Sequence, residues 1–388
     1  MNITLAHHWY RRAYPSGENG VVEGICARAA AWRLVRQREL FTRAEDYLSP
    51  PILGGIAAGL HCLDLLPGRH RARIRAAVAE ADLIHLHNPW PGLGLGLFHA
   101  ARDLHRPLVW TLHNYRLFST NEHVMVRREG RYHLVRPDTA QQVQHHVAMT
   151  GFRFGRLQNH VHNRALMHLW NSGVLHAAVT QFICLNRVQE RMLLELGIPA
   201  ERISLGANYT DISGVIADRH HGAVFVGRLN REKGIDFLLK SWTATLPPLR
   251  CVGDGPMAEQ VRAAADRNII AVGAVPRDEA RQQIAVANFL VMASTSYEVQ
   301  PLVIVEALAQ GIPCLVPAFG GMADMIQDGI TGLWYRPGDT VHFQEQARRL
   351  ADQADSMRAA CLAQARARYS HAVEESTLCD VYGRAAGV

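Results

Sequence analysis

Strand-like apolar runs alternate with helix-like stretches from one end of the chain to the other, an order that leaves few architectures open. A first series of strands is predicted at residues 2–7, 82–87, 107–113, 181–185 and 202–205. A second is predicted at residues 223–226, 249–252, 269–272, 289–292 and 313–316. Between the two series lies a polar, aperiodic stretch, residues 209–222, that reads as a linker. The 388 residues exceed what one ordinary core holds. The expectation is therefore an α/β protein of two doubly wound domains with a cleft between them. One domain spans residues 1–208 and the other 223–370. Residues 371–388 form a C-terminal helix able to pack back on the first domain.

Composition narrows the class further. Apolar residues make up 48% of the chain and charged residues 20%, which is ordinary for a folded globular protein and excludes a disordered chain. No apolar run reaches 18 residues, so no membrane-spanning helix is expected. The N-terminus puts its apolar piece before its basic piece, the reverse of an export signal, which points to the cytoplasm. The seven cysteines include no C-x-x-C pair and sit mostly among apolar neighbours, as reduced buried thiols do. Residues 1–208 hold 24 Arg against 15 Asp and Glu, whereas residues 209–388 hold 17 Lys and Arg against 20 acids. A basic first half suits an anionic partner, such as a phosphorylated lipid or the inner membrane surface, or is simply an Arg-rich composition. No nucleic-acid-binding module is recognisable.

Two constellations follow strands of the second series. Gly227-Arg228-Leu229-Asn230-Arg231-Glu232-Lys233-Gly234 comes directly after AVFV and precedes a helix. Ligands of open α/β sheets bind past the carboxyl ends of strands, and two cations there can neutralise a diphosphate. Lys233 is one of only two lysines in the chain, and a compact ammonium suits a phosphate as a point charge. The second constellation, residues 296–307, reads SYEVQPLVIVEA and places Glu298 and Glu306 eight positions apart. A helix starting near Pro301 aims free N–H groups at an anion. Glu306 can accept from the hydroxyls of a ribose and Glu298 from those of a sugar. In the first half, Pro15–Gly20 and His113-Asn114-Tyr115-Arg116 also follow strands. A histidine there can contact sugar hydroxyls or move a proton, or can be an ordinary core histidine.

Other chemistries lack their central residues. There is no Asp-x-Asp metal clamp, H-E-x-x-H, G-x-S-x-G, Walker lysine loop or G-x-G-x-x-G. His85-x-His87, His145-His146 and His160-x-His162 have no partners at zinc-finger spacing.

Taken in order, the motifs resemble glycosyltransferase family 4, the retaining GT-B enzymes. The likeness is strongest over 223–340: AVFVGRLNREKGIDFLL, VGDGPM, then SYEVQPLVIVEALAQGIPCLVPAFGGMADMIQDGITGLWYRPGD. It is looser over AHHWYRRAYPSGENGVVEG, DLIHLHN, PLVWTLHNYR and ISLGANYTD. The resemblance implies sugar transfer with retention from a nucleoside-diphosphate sugar, UDP- or GDP-linked. The acceptor is a glycan, a lipid-linked molecule or a small molecule, in cell-envelope polysaccharide or glycoconjugate synthesis, and neither metal nor other cofactor is required. It also implies roles. Arg228 and Lys233 hold the diphosphate, Glu306 the ribose and Glu298 the sugar. The backbone around Gln300, Leu302 and Val303 lies near phosphate and sugar. His113 lies against the sugar near the acceptor, and Gly17 matches the first glycine of a phosphate loop. Glu18 replaces the second glycine and is expected to face the acceptor with Asn114, Tyr115 and Arg116. Val299-Gln300 departs from the family's glycine and aromatic residue. A GT-B epimerase or hydrolase, and a non-catalytic nucleotide-sugar-binding subunit, are the competing readings.

Overall fold

The computed structural model describes residues 1–10, 17–29, 36–43, 51–65, 68–118, 125–128, 131–134, 156–212 and 222–387. They form two compact units. Unit 1 comprises Met1–Gly206 with Ser376–Val388, and unit 2 comprises Ala207–Glu375. The chain thus enters unit 2 at Ala207, and the C-terminal helix His371–Ala386 ends within unit 1. Of the expected linker, residues 213–221 lie outside the described residues.

Unit 1 is built on β1 (Asn2–Trp9), β2 (Arg36–Arg43), β3 (Leu83–Leu86), β4 (Leu108–Leu112), β7 (Val179–Cys184) and β8 (Ile203–Leu205). They form a parallel sheet in the order β2-β1-β3-β4-β7-β8. A separate antiparallel hairpin joins β5 (Met125–Arg128) and β6 (Arg131–Leu134). The inner strands are mostly apolar because helices cover both faces of a parallel sheet. Only β2 reads as polar (RQRELFTR), and it lies at the edge, where Leu40 and Thr42 are buried and Arg38, Glu39 and Arg43 are exposed.

Unit 2 repeats the plan. Its parallel sheet runs β11 (Ile269–Gly273), β10 (Leu249–Val252), β9 (Ala223–Val226), β12 (Phe289–Val291), β13 (Cys314–Pro317), β14 (Gly332–Tyr335). Its core is continuous from Val224 and Phe225 through Leu290, Leu315 and Tyr335 to Phe343 and Leu350 of the long helix Thr340–Tyr369.

Helix Gly17–Ala29 follows β1. Residues 52–79 hold two helices, Pro51–Cys62 and Arg69–Ala79, with Gly68 between them at φ 107°. Helix Arg156–Asn171 precedes β7. Helices Gly94–Asp103 and Arg277–Ala285 and strand β14 were not anticipated. Among the described residues, no helix is long and apolar enough to cross a membrane.

Candidate functional site

In each sheet the strand order reverses direction once. In unit 2 the chain moves outward from β9 to β10 and β11, then returns to lay β12 on the other side of β9. The loops leaving β9 and β12 therefore part in opposite directions and leave a crevice at their carboxyl ends. Residues 227–234 line one side and residues 292–301 the other.

Two glycines set how closely the loop after β9 is approached by those after β12 and β10. Gly234 caps helix Ile235–Ser241 in the left-handed conformation at φ 74°, and a Cβ there would stand 1.7 Å from the Ala293 carbonyl oxygen. Gly253, at φ 140°, lies so close to Gly227 that a Cβ would meet its oxygen at 2.0 Å. The Thr295 amide donates to the Glu232 carbonyl at 3.0 Å and closes the seam.

Lys233 then spans the crevice. Its Nζ donates to Glu298 Oε1 at 2.6 Å, and Ser294 Oγ donates to the same oxygen at 2.9 Å. An ammonium has three donors, so two remain for a ligand. The Arg228 guanidinium is exposed and makes no hydrogen bond or ion pair with the described residues. The helix beyond Glu298 is Leu302–Ala309. Its N-cap is Pro301, and no side chain caps it, which leaves the amides of its first turn to a ligand. Gln300 is a clamp: its Oε1 accepts from the Asn208 amide, and its carbonyl accepts from Asn208 Nδ2 at 3.0 Å. Leu302 and Val303 are half-buried, and Val303 packs on the core.

Glu306 sits on that helix among Ile304, Val305, Ala307 and Leu308, all buried. A carboxylate there needs a partner. Arg277, the first residue of helix Arg277–Ala285, supplies it: Nε at 3.2 Å and a terminal guanidinium nitrogen at 3.0 Å, both on Oε1. Oε2 of Glu306 makes no hydrogen bond with a described residue and is available to hydroxyl donors.

The reversal in unit 1 falls between β1 and β3, and imidazoles fill it. His7 and His8 end β1, His85 and His87 lie on and just past β3, and His113 follows β4. His85 Nδ1 meets the Tyr382 hydroxyl at 2.8 Å and its Nε2 meets Thr111 Oγ1 at 2.7 Å. His87 Nδ1 lies 2.8 Å from His113 Nε2. His7 bonds Asn19 at 3.1 Å, and His8 bonds Thr42 at 2.8 Å. Burial lowers every one of these rings: His7 to about 4, His8, His85 and His113 to about 3, and His87 well below the usual imidazole value. All are neutral at physiological pH.

Glu18 lies beside them at the start of helix Gly17–Ala29. Its Oε2 accepts from the Tyr10 hydroxyl and from Asn114 Nδ2, each at 3.1 Å. Arg116 stacks its guanidinium 5.3 Å from the centre of the Tyr10 ring.

The whole chain superposes on the crystal structure of HepE from Anabaena in complex with UDP. The TM-score is 0.67 at 18% identity, over 99% of this chain and all of that one. The fold is that of the GT-B glycosyltransferases. Residues 220–353, most of unit 2, match the family described as Glycosyl transferases group 1. The sulfoquinovosyl transferase SQD2 of Arabidopsis thaliana is 36% identical over 122 residues, 30% of this chain and 24% of that protein. A GDP-mannose-dependent alpha-mannosyltransferase of Corynebacterium glutamicum is 34% identical over 121 residues, 31% of this chain and 28% of that one. These likenesses thus span about a quarter of each relative's length.

On this GT-B frame the structure gathers the sequence-read residues into two groups. Unit 2 brings together Arg228, Lys233, Glu298, Gln300, Leu302, Val303 and Glu306 around one crevice. Unit 1 brings together Glu18, Asn114, Arg116 and His113, with Gly17 exposed at the helix start and residues 11–16 outside the described residues. Tyr115 is the correction. It is fully buried, its hydroxyl accepts from Asn186 Nδ2 at 3.1 Å, and it therefore supports the loop rather than facing an acceptor. Of the arginines in residues 121–170, which suit a lipid pyrophosphate or a solvated loop equally, Arg127, Arg128, Arg131, Arg136, Arg153 and Arg156 have side chains outside the described residues, and Arg164 is exposed. Sequence reasoning missed Arg277, His87 and Tyr382. Among the described residues no cluster of His, Cys, Asp and Glu could hold a metal ion.

Proposed function

We propose that this chain is a retaining glycosyltransferase that moves a sugar from a nucleoside-diphosphate sugar to a hydroxyl of a glycan, lipid-linked or small-molecule acceptor. The observation that carries the reading is Lys233 laid against Glu298 across the switch point, beside an uncapped helix N-terminus. One crevice therefore offers an ammonium and free amides for a diphosphate, and carboxylates for hydroxyls.

In this reading unit 2 holds the donor. Arg228, Lys233 and the amides of Leu302 and Val303 take the diphosphate. Glu306, oriented by Arg277, accepts from the ribose through Oε2, and Glu298 accepts from the sugar. Negative charge builds on the leaving diphosphate as the glycosidic bond breaks, and the fixed cations and helix terminus stabilise it without a metal. The acceptor hydroxyl attacks on the face that the diphosphate leaves, and its proton passes to the departing phosphate oxygen. No enzyme carboxylate acts as nucleophile. Unit 1 supplies the acceptor side through His113, Glu18 and Asn114. The enzyme works in the cytoplasm, with its basic half toward the inner membrane surface when the acceptor is lipid-linked. HepE was crystallised with UDP and the Corynebacterium relative is named for GDP-mannose, so both bases belong in the test.

The test is thermal stabilisation by UDP, GDP, ADP and dTDP, with and without EDTA, on wild type and Lys233→Ala. It is followed by transfer from the matching sugar nucleotide to an acceptor mixture, with the product anomer read by NMR. One nucleotide at 100 times its Kd should add about 2.7 kcal/mol. The shift should survive EDTA and fail on the variant, and loss of the cation should slow transfer about 10²–10³-fold. No stabilisation by any nucleotide sinks the donor site. Free sugar released without acceptor product moves the chain to the hydrolases, and an inverted anomer removes retention.

A further inference from the structure

The pair His87–His113 contains an asymmetry that the reading above does not use. His87 Nδ1 and His113 Nε2 are 2.8 Å apart, so one of them donates and the other accepts. Burial keeps both rings uncharged, and a neutral imidazole has a single N–H. The other nitrogen of His87 decides between the two arrangements. Its Nε2 is buried and has no hydrogen-bond partner. A proton there would be an orphaned buried N–H, the rarer and worse case, whereas a bare Nε2 is only an unused acceptor. The proton therefore sits on Nδ1 of His87, which donates to Nε2 of His113.

We propose that His87 is a positioning residue that fixes His113 as its Nδ1–H tautomer, so that His113 meets the substrate as a hydrogen-bond donor and not as a base. With Nε2 occupied, its one lone pair is spent. Nδ1 makes no hydrogen bond with a described residue, and His113 is only half-buried, so that N–H is the group a sugar hydroxyl or developing oxyanion can meet.

The surroundings hold His87 in this role. Its ring packs 4.2 Å from that of His85, which is pinned at both nitrogens by Tyr382 and Thr111. Its carbonyl accepts from the Trp110 indole at 3.2 Å, and its amide donates to the Ala6 carbonyl at 2.9 Å. Strands β1, β3 and β4 and the C-terminal helix thus all bear on one imidazole. The tautomer itself follows from the geometry; its use in catalysis rests on the sugar-transfer reading. There it fits a reaction whose acceptor proton leaves with the diphosphate, because a donor at Nδ1 cannot take that proton.

The experiment is 15N NMR of the full chain labelled at histidine, with the His113 signals assigned from His113→Gln, beside kcat and KM for transfer. The expected wild-type spectrum has Nδ1 of His113 protonated and Nε2 bare. His87→Asn keeps a donor near the Nδ1 position, so the tautomer should persist and kcat stay within about tenfold. His87→Asp supplies only an acceptor, so the proton should move to Nε2 and kcat should fall about 10²-fold at little-changed KM, the size expected for one lost donor. A wild-type His113 protonated at Nε2 overturns the proposal whatever the activity. So does His87→Asp if it flips the tautomer and leaves kcat intact. If His87→Asp does not fold, the wild-type spectrum and His87→Asn decide. The expected tautomer in a chain that binds no nucleotide sinks the transferase reading and leaves the positioning pair standing.

Discussion

The two units share one construction and fill it with opposite chemistry. Each lays six parallel strands with a single reversal of order, and each gathers its polar side chains at that reversal. In unit 2 the crevice holds formed ion pairs, Lys233 with Glu298 and Arg277 with Glu306. In unit 1 it holds neutral imidazoles. Exposure separates them. Lys233 keeps 28% and Arg277 57% of its side-chain surface open, so their charges stay hydrated at one end. His7, His85 and His87 are 2% exposed or less, and at that depth an unpaired charge is prohibitive. The same topology thus yields ion pairs where cations reach water, and a donor–acceptor lattice where they do not.

The largest consequence is acid sensitivity confined to unit 1. His7, His8, His85 and His162 are buried with values lowered to about 4 or about 3, and burial holds His87 well below the usual imidazole value. The unfolded chain, at the ordinary 6.5, therefore binds more protons than the folded one between roughly pH 4 and pH 6.5. Stability is complete above pH 6.5 and declines as pH falls. Each such ring costs on the order of 1 kcal/mol at pH 5.5. Several together are a sizeable part of the whole stability of a domain. Unit 2 buries no histidine among its described residues. Hydrogen exchange at pH 7.5 and 5.5, corrected for intrinsic rates, should show β1, β3 and β4 losing protection while β9 and β12 keep theirs. Parallel loss in both units breaks the comparison.

The ion pairs of unit 2 give a smaller and more local test. Arg277→Ala leaves Glu306 buried with its Oε1 unpaired. The expected loss is about 1–3 kcal/mol of stability, with weaker nucleotide binding because the carboxylate is no longer oriented. Glu306→Gln keeps the shape, removes the charge and should restore stability more than binding. If both variants bind nucleotide as wild type does, Glu306 is a structural acid only.

How much of this could be read beforehand differs along the same line. The fold was legible because apolar runs such as AVFV and DLIHLH mark strands by themselves. The edge strands β8 and β11 were legible too, whereas β2, which buries only alternate residues, and β14, four residues long, are in neither predicted series. Lys233 and Glu298 were legible because each ends a recognisable strand and loop. Arg277 was not: it opens a charged helix, PRDEA, and finds its partner 29 residues away. Gln300 looked like a departure within a sugar pocket, and only packing reveals that it clamps Asn208. The histidines were visible as residues but not as a lattice, because His85, Thr111 and Tyr382 converge from three distant stretches.

The weakest effect tests whether that lattice is one structure or several separate bonds. Tyr382 comes from the C-terminal piece of unit 1, and its hydroxyl is the partner of His85 Nδ1. Tyr382→Phe keeps the ring and should cost about 1 kcal/mol, the net worth of one hydrogen bond plus part of the penalty of an unmet nitrogen. Thr111→Val removes the partner of Nε2 at similar cost. If His85 is held as a unit, the double variant should lose less than the two singles combined, because the ring is freed by the first change. A loosened imidazole is hydrated and protonated more readily, so its folded value should rise toward the unfolded one and the stability lost between pH 7.5 and 5.5 should shrink. Strict additivity, with no change in that pH-dependent loss, would mean that burial alone sets the chemistry of unit 1 and that the lattice adds nothing to it.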